Sequence, residues 1–176
     1  MKQKHTTMIK WQFYPKSKEI PVHLTTVIDQ VFKPNFDKID SVRHKYSSDM
    51  VLAVLRKNLE TVGFLVEHGK RNKEKIRIPV LFGQNGTVEK SFDADGWNKS
   101  SKTVIEVEAG RGVTNYQFLK DLFQACVMRD VEYLIICVRN IYLKRDDYSA
   151  VINFLNSLYA SERLSLPLSG ILVIGY

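Results

Sequence analysis

Residues 92–112, "FDADGWNKSSKTVIEVEAGRG", carry two pairs of acidic side chains on either side of a polar loop. Asp93 and Asp95 precede the loop, and Glu106 and Glu108 lie in an otherwise apolar, strand-like segment after it. Successive side chains of a strand point to opposite faces, so the two members of each pair share a face. Because unpaired buried carboxylates are costly, the pattern predicts either a cation site or a solvated edge hairpin.

The surrounding segments predict a single α/β domain whose mixed central β-sheet is flanked by helices on both faces. Apolar spacing and turn residues define the elements. In chain order they are a helix at 48–67, strands at 76–83, 90–97 and 102–109, a helix at 115–130 capped by Thr114, a buried strand at 131–143, a helix at 147–162 and a strand at 169–176. The strand at 102–109 leads through a crossover helix into a second apolar strand, which predicts a central position in the sheet.

The polar link at 98–101 predicts a hairpin in which Trp97 lies opposite Lys102. In that register Asp93 faces Glu106, and Glu108 lies on the same side of the sheet. A slip of two residues in this register would put Asp95 opposite Glu106 instead. We take Asp93 as the preferred residue of the two. Like charges repel strongly at such distances, and oxygen ligands favour a hard cation, so we expect Mg²⁺, with Mn²⁺ as a substitute.

The order of helix, three strands, helix and strand, with Asp93 followed by Glu106-Val107-Glu108, resembles the core of the PD-(D/E)xK nuclease superfamily, the restriction-endonuclease-like fold. The signature of that family is Asp on the second strand and, after a variable gap, Asp/Glu-x-Lys on the third. Glu108 stands at the lysine position, as in type II restriction enzymes that use Glu-x-Glu. The resemblance covers roughly residues 48–142. Residues 1–47 are then an N-terminal extension, and 143–176 add a helix and a strand.

The resemblance implies a metal-dependent nuclease that hydrolyses DNA phosphodiester bonds. Asp93 and Glu106 would hold the metal, joined by Glu60 from the preceding helix. Glu108 would act as a general base, orient the attacking water or complete a second metal site.

Four further residues are expected to contact the substrate. Lys102 and Arg111 would supply the positive charge that Glu108 cannot give, and Asn115 and Gln117 would contact phosphate near a helix N-terminus. The net charge of +7 favours a polyanionic partner, here double-stranded DNA. A symmetric homodimer is expected if both strands are cut.

Neither a membrane span nor a secretory signal is predicted, and Cys126 and Cys137 have no disulfide or metal spacing, so a cytoplasmic location is expected. Two alternatives remain open. One is a catalytically inactive member of the same fold that binds nucleic acid, and the other is a protein–protein interaction module with a solvated acidic hairpin.

Overall fold

A mixed β-sheet with helices on both faces forms the centre of this single α/β domain, as the sequence predicts. The computed structural model describes residues 8–69, 71–110 and 113–176. The strands are β1 (Lys10–Tyr14), β2 (Leu65–Val66), β3 (Ile76–Phe82), β4 (Val88–Ala94), β5 (Gly96–Asn98), β6 (Thr103–Val107), β7 (Tyr133–Val138) and β8 (Gly170–Gly175). The helices are α1 (Val22–Val27), α2 (Phe36–Ile39), α3 (Ser48–Thr61), α4 (Gln117–Val127) and α5 (Asp147–Ser161).

Within the described residues, six strands form the main sheet in the order β1, β8, β7, β6, β5, β2. Strands β6, β7 and β8 are parallel, while β1, β5 and β2 pair antiparallel to their neighbours. The expected central position of β6 is confirmed, because β5 and β7 pair with its two sides. Strands β3 and β4 form a separate ribbon, which turns through Asn85 and Gly86 at positive φ, as the Asn-Gly signal predicts.

Helix α3 ends at Thr61, so the prediction of a helix to Glu67 is wrong. Gly63 has a φ of +93° and ends the helix, with hydrogen bonds from the Gly63 N–H to Glu60 O and from the Phe64 N–H to Leu59 O, both 3.0 Å. This is the hydrogen-bond pattern of a glycine-terminated helix. The residues after Gly63 then form β2, which pairs with β5. The strand at 76–83 was the predicted neighbour at this position, and it pairs instead with β4 in the separate ribbon.

Helix α4 begins at Gln117, so Thr114 is not its cap. Tyr116 precedes the helix in a left-handed conformation, with a φ of 52°. The Thr114 hydroxyl instead donates to Gly110 O at 3.4 Å and accepts from Arg145 at 2.7 Å. Thr114 therefore joins two loops rather than starting the helix.

Side-chain alternation divides the core into two layers. Ile105, Val107 and Cys137 pack with α1 and α3 on one face, and Val104 and Ile136 pack with α4 and α5 on the other. By the same alternation, the side chain at position 106 belongs to the α4 face. The first layer also contains residues of β1, α1 and α2, so residues 8–47 are an integral part of the core.

None of the described helices combines the length and the apolar character needed to cross a lipid bilayer.

Substitution of Gly170 by alanine is expected to destabilise the protein by about 1–3 kcal/mol through overpacking. A Cβ at this position in β8 would lie 2.4 Å from the Phe13 ring of β1 and 3.0 Å from Tyr14 O. Urea denaturation of Gly170→Ala measures the loss, with Ser169→Ala as the neighbouring control. Equal stability of the two variants would contradict the close packing of β1 on β8.

Candidate functional site: a carboxylate cluster at the end of β6

Asp95 lies where the chain leaves the β3–β4 ribbon and enters the main sheet as β5. Its carbonyl oxygen accepts a hydrogen bond from the Glu67 N–H at 2.8 Å, which extends the pairing of β2 with β5. Its carboxylate oxygen Oδ2 accepts from the Val107 N–H at 2.7 Å. The pairing of β5 with β6 ends at Gly96 and Ile105, so the Asp95 side chain occupies the place of a strand partner for Val107.

Glu106 and Glu108 extend from the end of β6 towards α4. Glu106 is paired with Ile136 in the parallel register of β6 and β7. The Glu108 N–H donates to Cys137 O at 2.8 Å, and its carbonyl oxygen accepts from the Tyr176 hydroxyl at 3.0 Å. Both backbone positions are therefore fixed by the core of the sheet.

Asp121 brings a fourth carboxylate to the site from α4. Its side chain is 3% exposed, among the buried positions Phe118, Leu122 and Ala125 of the same helix. It shares a side-chain hydrogen bond with Glu108, and apart from that bond its Oδ2 has no hydrogen-bond partner in the described part of the chain. Asp121 was not among the site residues predicted from the sequence. The available signal was an aspartate inside the apolar stripe of an amphipathic helix, where it needs a partner.

The four carboxyl groups hold their protons unusually strongly. Burial raises the pKa of Asp95 to about 7, although the hydrogen bond from Val107 acts in the opposite direction. Burial raises the pKa of Glu106 well above its usual range, and repulsion from Asp95 adds to it. Burial, followed by repulsion from Asp121, raises the pKa of Glu108 to about 8.

The shifts in pKa favour Glu108 over Asp121 as the protonated member of the pair. Burial also raises the pKa of Asp121, while the hydrogen bond with Glu108 lowers it. A hydrogen bond between two carboxyl groups needs one proton, and like-charged neighbours separate in pKa. Glu108, with the pKa of about 8, is the donor of that bond.

One cation acts on three members of the cluster. The Lys120 ammonium lies 3.8 Å from Asp121 Oδ1. Its charge lowers the pKa of Glu106, Glu108 and Asp121, against the stronger effect of burial. Lys120 is exposed on α4, so it remains accessible to a ligand that approaches the carboxylates.

Asp93 does not belong to the cluster, which corrects the choice of Asp93 over Asp95. In the observed hairpin Trp97 lies opposite Val104 instead of Lys102, so the register differs by two residues from the predicted one. Asp93 is exposed on the ribbon, where Oδ2 is 2.6 Å from Lys75 Nζ and Oδ1 is 3.7 Å from Arg77 Nε.

Two other predicted residues lie away from the carboxylates. Glu60 is exposed on α3, with its Oε1 3.2 Å from His68 Nε2, so it contributes no described contact to the cluster. Lys102 precedes the first residue of β6, at the opposite end of the strand from Glu108, and its Nζ lies 2.6 Å from Glu132 Oε1. Lys102 is therefore not placed to assist chemistry at Glu106 and Glu108.

Two of the remaining predicted contacts, Asn115 and Gln117, lie around the start of α4. Asn115 is exposed in the turn before α4, and Gln117 is half-buried as its first residue, one turn before Asp121. Arg111 lies outside the described residues.

The donor chemistry of the cluster suits a hard divalent cation, since every ligand candidate is a carboxylate oxygen. Among residues 8–69, 71–110 and 113–176, no group of three or more His, Cys, Asp or Glu side chains has the arrangement of a metal site. A divalent ion would therefore have to displace the proton between Glu108 and Asp121 and draw the carboxylates together. Loss of that proton would leave the buried Asp121 carboxylate without a hydrogen-bond donor for Oδ2 among the described residues, so a cation would then be its partner.

Comparison with protein-family models, with curated proteins and with solved structures gives no match to this chain.

Without divalent cations, the free energy of unfolding is expected to fall as the pH rises from about 4 to about 8, by roughly 4 kcal/mol for each of two buried carboxyl groups. Asp95 and Glu108 have folded-state pKa values of about 7 and about 8, above their unfolded values. Groups of this kind stabilise the fold below the unfolded pKa, and that stabilisation is lost as the pH rises through the folded pKa. Urea denaturation in EDTA across this range measures the slope.

Glu108→Gln is expected to flatten this pH dependence, because glutamine keeps the shape of the side chain and cannot ionise. Asp93→Asn is the matched control, since it changes an exposed carboxylate outside the cluster. An unchanged slope in Glu108→Gln would contradict the protonated state of Glu108 described above.

Proposed function

We propose that the protein is a metal-dependent nuclease that hydrolyses DNA phosphodiester bonds, with Asp95, Glu106, Glu108 and Asp121 as its site. The observation that carries the proposal is the convergence of four buried or half-buried carboxyl groups, which act on one another's pKa values, at the end of one central strand. Surface-solvated acidic residues would not have pKa values raised by burial, as these are.

The resemblance to the restriction-endonuclease-like core supports the proposal after one correction. Helix α3 is followed by antiparallel strands, by β6 with Glu106-Val107-Glu108, by α4, and by β7 parallel to β6. The sequence of a helix, antiparallel strands, a helix and a parallel strand is compatible with the family resemblance, although β2 is an additional strand and the β3–β4 ribbon lies outside the main sheet. In this comparison Asp95 takes the place first given to Asp93. Asp121 on α4 is an addition to the Asp…Glu-x-Glu pattern.

Asp95 and Glu106 would hold Mg²⁺ or Mn²⁺, with Asp121 as a further oxygen ligand. A bound divalent ion would polarise the phosphoryl oxygen and lower the pKa of a water molecule. Once a bound divalent ion has displaced the proton between Glu108 and Asp121, the ionised Glu108 would take the proton of the attacking water. Asp121 would keep the Glu108 carboxyl group in the orientation that this transfer needs.

Lys120 would supply the positive charge that the Glu-x-Glu sequence lacks. It is the cation whose charge acts on Glu106, Glu108 and Asp121 together, so a phosphate bound at the carboxylates would lie within its reach. Arg111, Asn115 and Gln117 remain proposed phosphate contacts near the start of α4. The excess of 26 Lys and Arg over 19 Asp and Glu is consistent with a DNA partner, and a homodimer would suit cleavage of both strands.

Metal binding should depend on Asp95 and not on Asp93. Calorimetric titration of Mg²⁺ and Mn²⁺ into metal-free protein is expected to show binding by the wild type and by Asp93→Asn, and none by Asp95→Asn or Glu106→Gln. Asp93 and Asp95 are two residues apart in the sequence and carry the same charge. Comparison of the two variants therefore separates loss of a metal ligand from a general change in charge. Loss of binding in Asp93→Asn with retention in Asp95→Asn would overturn the observed register as the basis of the site.

Cleavage of supercoiled plasmid DNA should fall about 10²–10⁴-fold in Glu108→Gln, the range typical of losing a general base. Circular dichroism and metal titration of the same variant check that the fold and metal binding persist. Metal binding without plasmid cleavage by the wild type would contradict the proposed nuclease activity.

Lys120→Gln should lower the cleavage rate at least about tenfold, and Lys120→Arg should restore part of it, because both cationic side chains can stabilise developing phosphate charge. Lys57→Gln is the control, since Lys57 is also an exposed helical lysine but lies on α3. Equal rates in Lys120→Gln and Lys57→Gln would exclude a role for Lys120 in catalysis.

A further inference from the structure

A cleft of about 440 Å³ lies between the segment that follows α2 and the segment that follows β7. Its lining combines three cations, Lys45, Arg139 and Lys144, with an apolar wall. The apolar residues are Val42, Ile141 and Leu143, which are 55%, 38% and 80% exposed. No acidic side chain of the described residues lines the cleft, so its chemistry fits an anion attached to a flat apolar group.

Arg139 is a buried cation without a carboxylate partner among the described residues. It is 8% exposed, its guanidinium donates to Tyr46 O, and it lies 5.1 Å from the centre of the Tyr142 ring. It also shares a hydrogen bond with the Tyr176 side chain, which is neutral. Buried charges in proteins are normally paired, because removing a charge from water without compensation is costly. A phosphate in the cleft would supply the missing negative charge.

The turn at Leu143 and Lys144 presents both side chains in an unfavourable backbone geometry. Tyr142 and Arg145 exchange two backbone hydrogen bonds of 2.8 and 2.9 Å across the turn, and the central residues have φ values of 47° and 67°. Positive φ at both central positions defines the turn type that strongly prefers Asn-Gly. A leucine that is 80% exposed and strained in this way is better explained by a ligand than by folding.

The cleft adjoins the carboxylate cluster. Gly110, two residues after Glu108, lies so close to Tyr142 that a Cβ on it would be 2.5 Å from the ring. The Tyr176 hydroxyl donates to Glu108 O, and the main-chain oxygen of Tyr176 accepts from Ser41 in the cleft lining at 2.5 Å. The backbone from Glu108 to Gly110 therefore connects the carboxylate cluster to Tyr142 in the wall of the cleft.

We propose that this cleft holds one unpaired nucleotide of the DNA strand next to the phosphate that is cleaved. Its phosphate lies on Arg139, Lys45 and Lys144, and its base lies against Leu143 and Ile141. The inference rests on the proposed nuclease function and gives its substrate class. Because a base in the cleft cannot be stacked in a duplex, the preferred substrates are single strands and frayed or flapped ends rather than continuous duplex DNA.

The test measures binding of a fluorescent single-stranded oligonucleotide and of a blunt duplex of the same sequence by anisotropy, with wild-type protein in EDTA. The double variant Leu143→Asn with Lys144→Gly is expected to bind the single strand at least tenfold more weakly, with a much smaller change for the duplex. Its Tm should rise by about 2–4 °C, because Asn-Gly relieves the backbone strain of the turn. A gain in stability together with a loss of affinity excludes unfolding as the cause.

Lys45→Ala isolates the phosphate contact. It is expected to reduce the slope of log affinity against log salt for the single strand by about 0.7, the value for one phosphate contact. Lys57→Ala, an exposed lysine on α3, should leave the slope unchanged.

Three results would overturn the proposal. They are unchanged single-strand affinity in the turn variant, equal weakening for single strand and duplex, and full competition by a free mononucleotide at the concentration at which the oligonucleotide binds. The first means that the cleft is not used, the second that it contacts only the backbone, and the third that it is a site for free nucleotides. Because binding is read without metal, failure of plasmid cleavage leaves this result standing and tests the nuclease function separately.

Discussion

The hydrogen bond from the Val107 N–H to the Asp95 carboxylate joins the fold to the site. At this point the chain arrives from the β3–β4 ribbon and begins to pair with β6 as β5. The Val107 N–H of β6 lies beyond the last residue pair of the two strands, and the Asp95 side chain accepts its hydrogen bond, since buried N–H groups need a partner. The same bond holds the Asp95 carboxylate beside Glu106, so the bend in the strand also assembles the carboxylate cluster.

Burial of the four carboxyl groups costs electrostatic free energy, and formation of the sheet does not need these groups. Burial raises the pKa values of Asp95, Glu106, Glu108 and Asp121, so the protein keeps protons in its interior that exposed carboxyl groups would release. Replacing such groups with apolar residues would stabilise many folds. Their retention on a central strand, beside Lys120, is the pattern expected where a site binds a cation or transfers a proton. Arg139 is also a buried charge, of the opposite sign, and has no carboxylate partner among the described residues. Its burial is likewise the pattern expected at a binding site.

Sequence periodicity predicted helix α3, the β3–β4 hairpin, the central β6 and helix α5, because each has a local signal of its own. It failed where long-range pairing decides the boundary. Gly63 ends α3 earlier than the apolar spacing suggests, and the freed segment pairs with β5. Gly96 was the overlooked signal for the hairpin register. A Cβ there would lie 2.7 Å from the Ile105 side chain, so only glycine allows β5 and β6 to pair as they do.

The sequence by itself determined that this is a mixed α/β domain with an acidic pair on one face of a central strand, because alternation and helical spacing are local properties. Only the tertiary structure decided which residues join that pair. Asp93 and Asp95 have the same parity along the strand, so alternation places both on one face and cannot choose between them. Asp121 and Lys120 reach the site through the packing of α4 on the sheet, and Arg139 reaches its cleft through the fold of residues far apart in the chain. Such contacts depend on global geometry, which a local pattern does not contain.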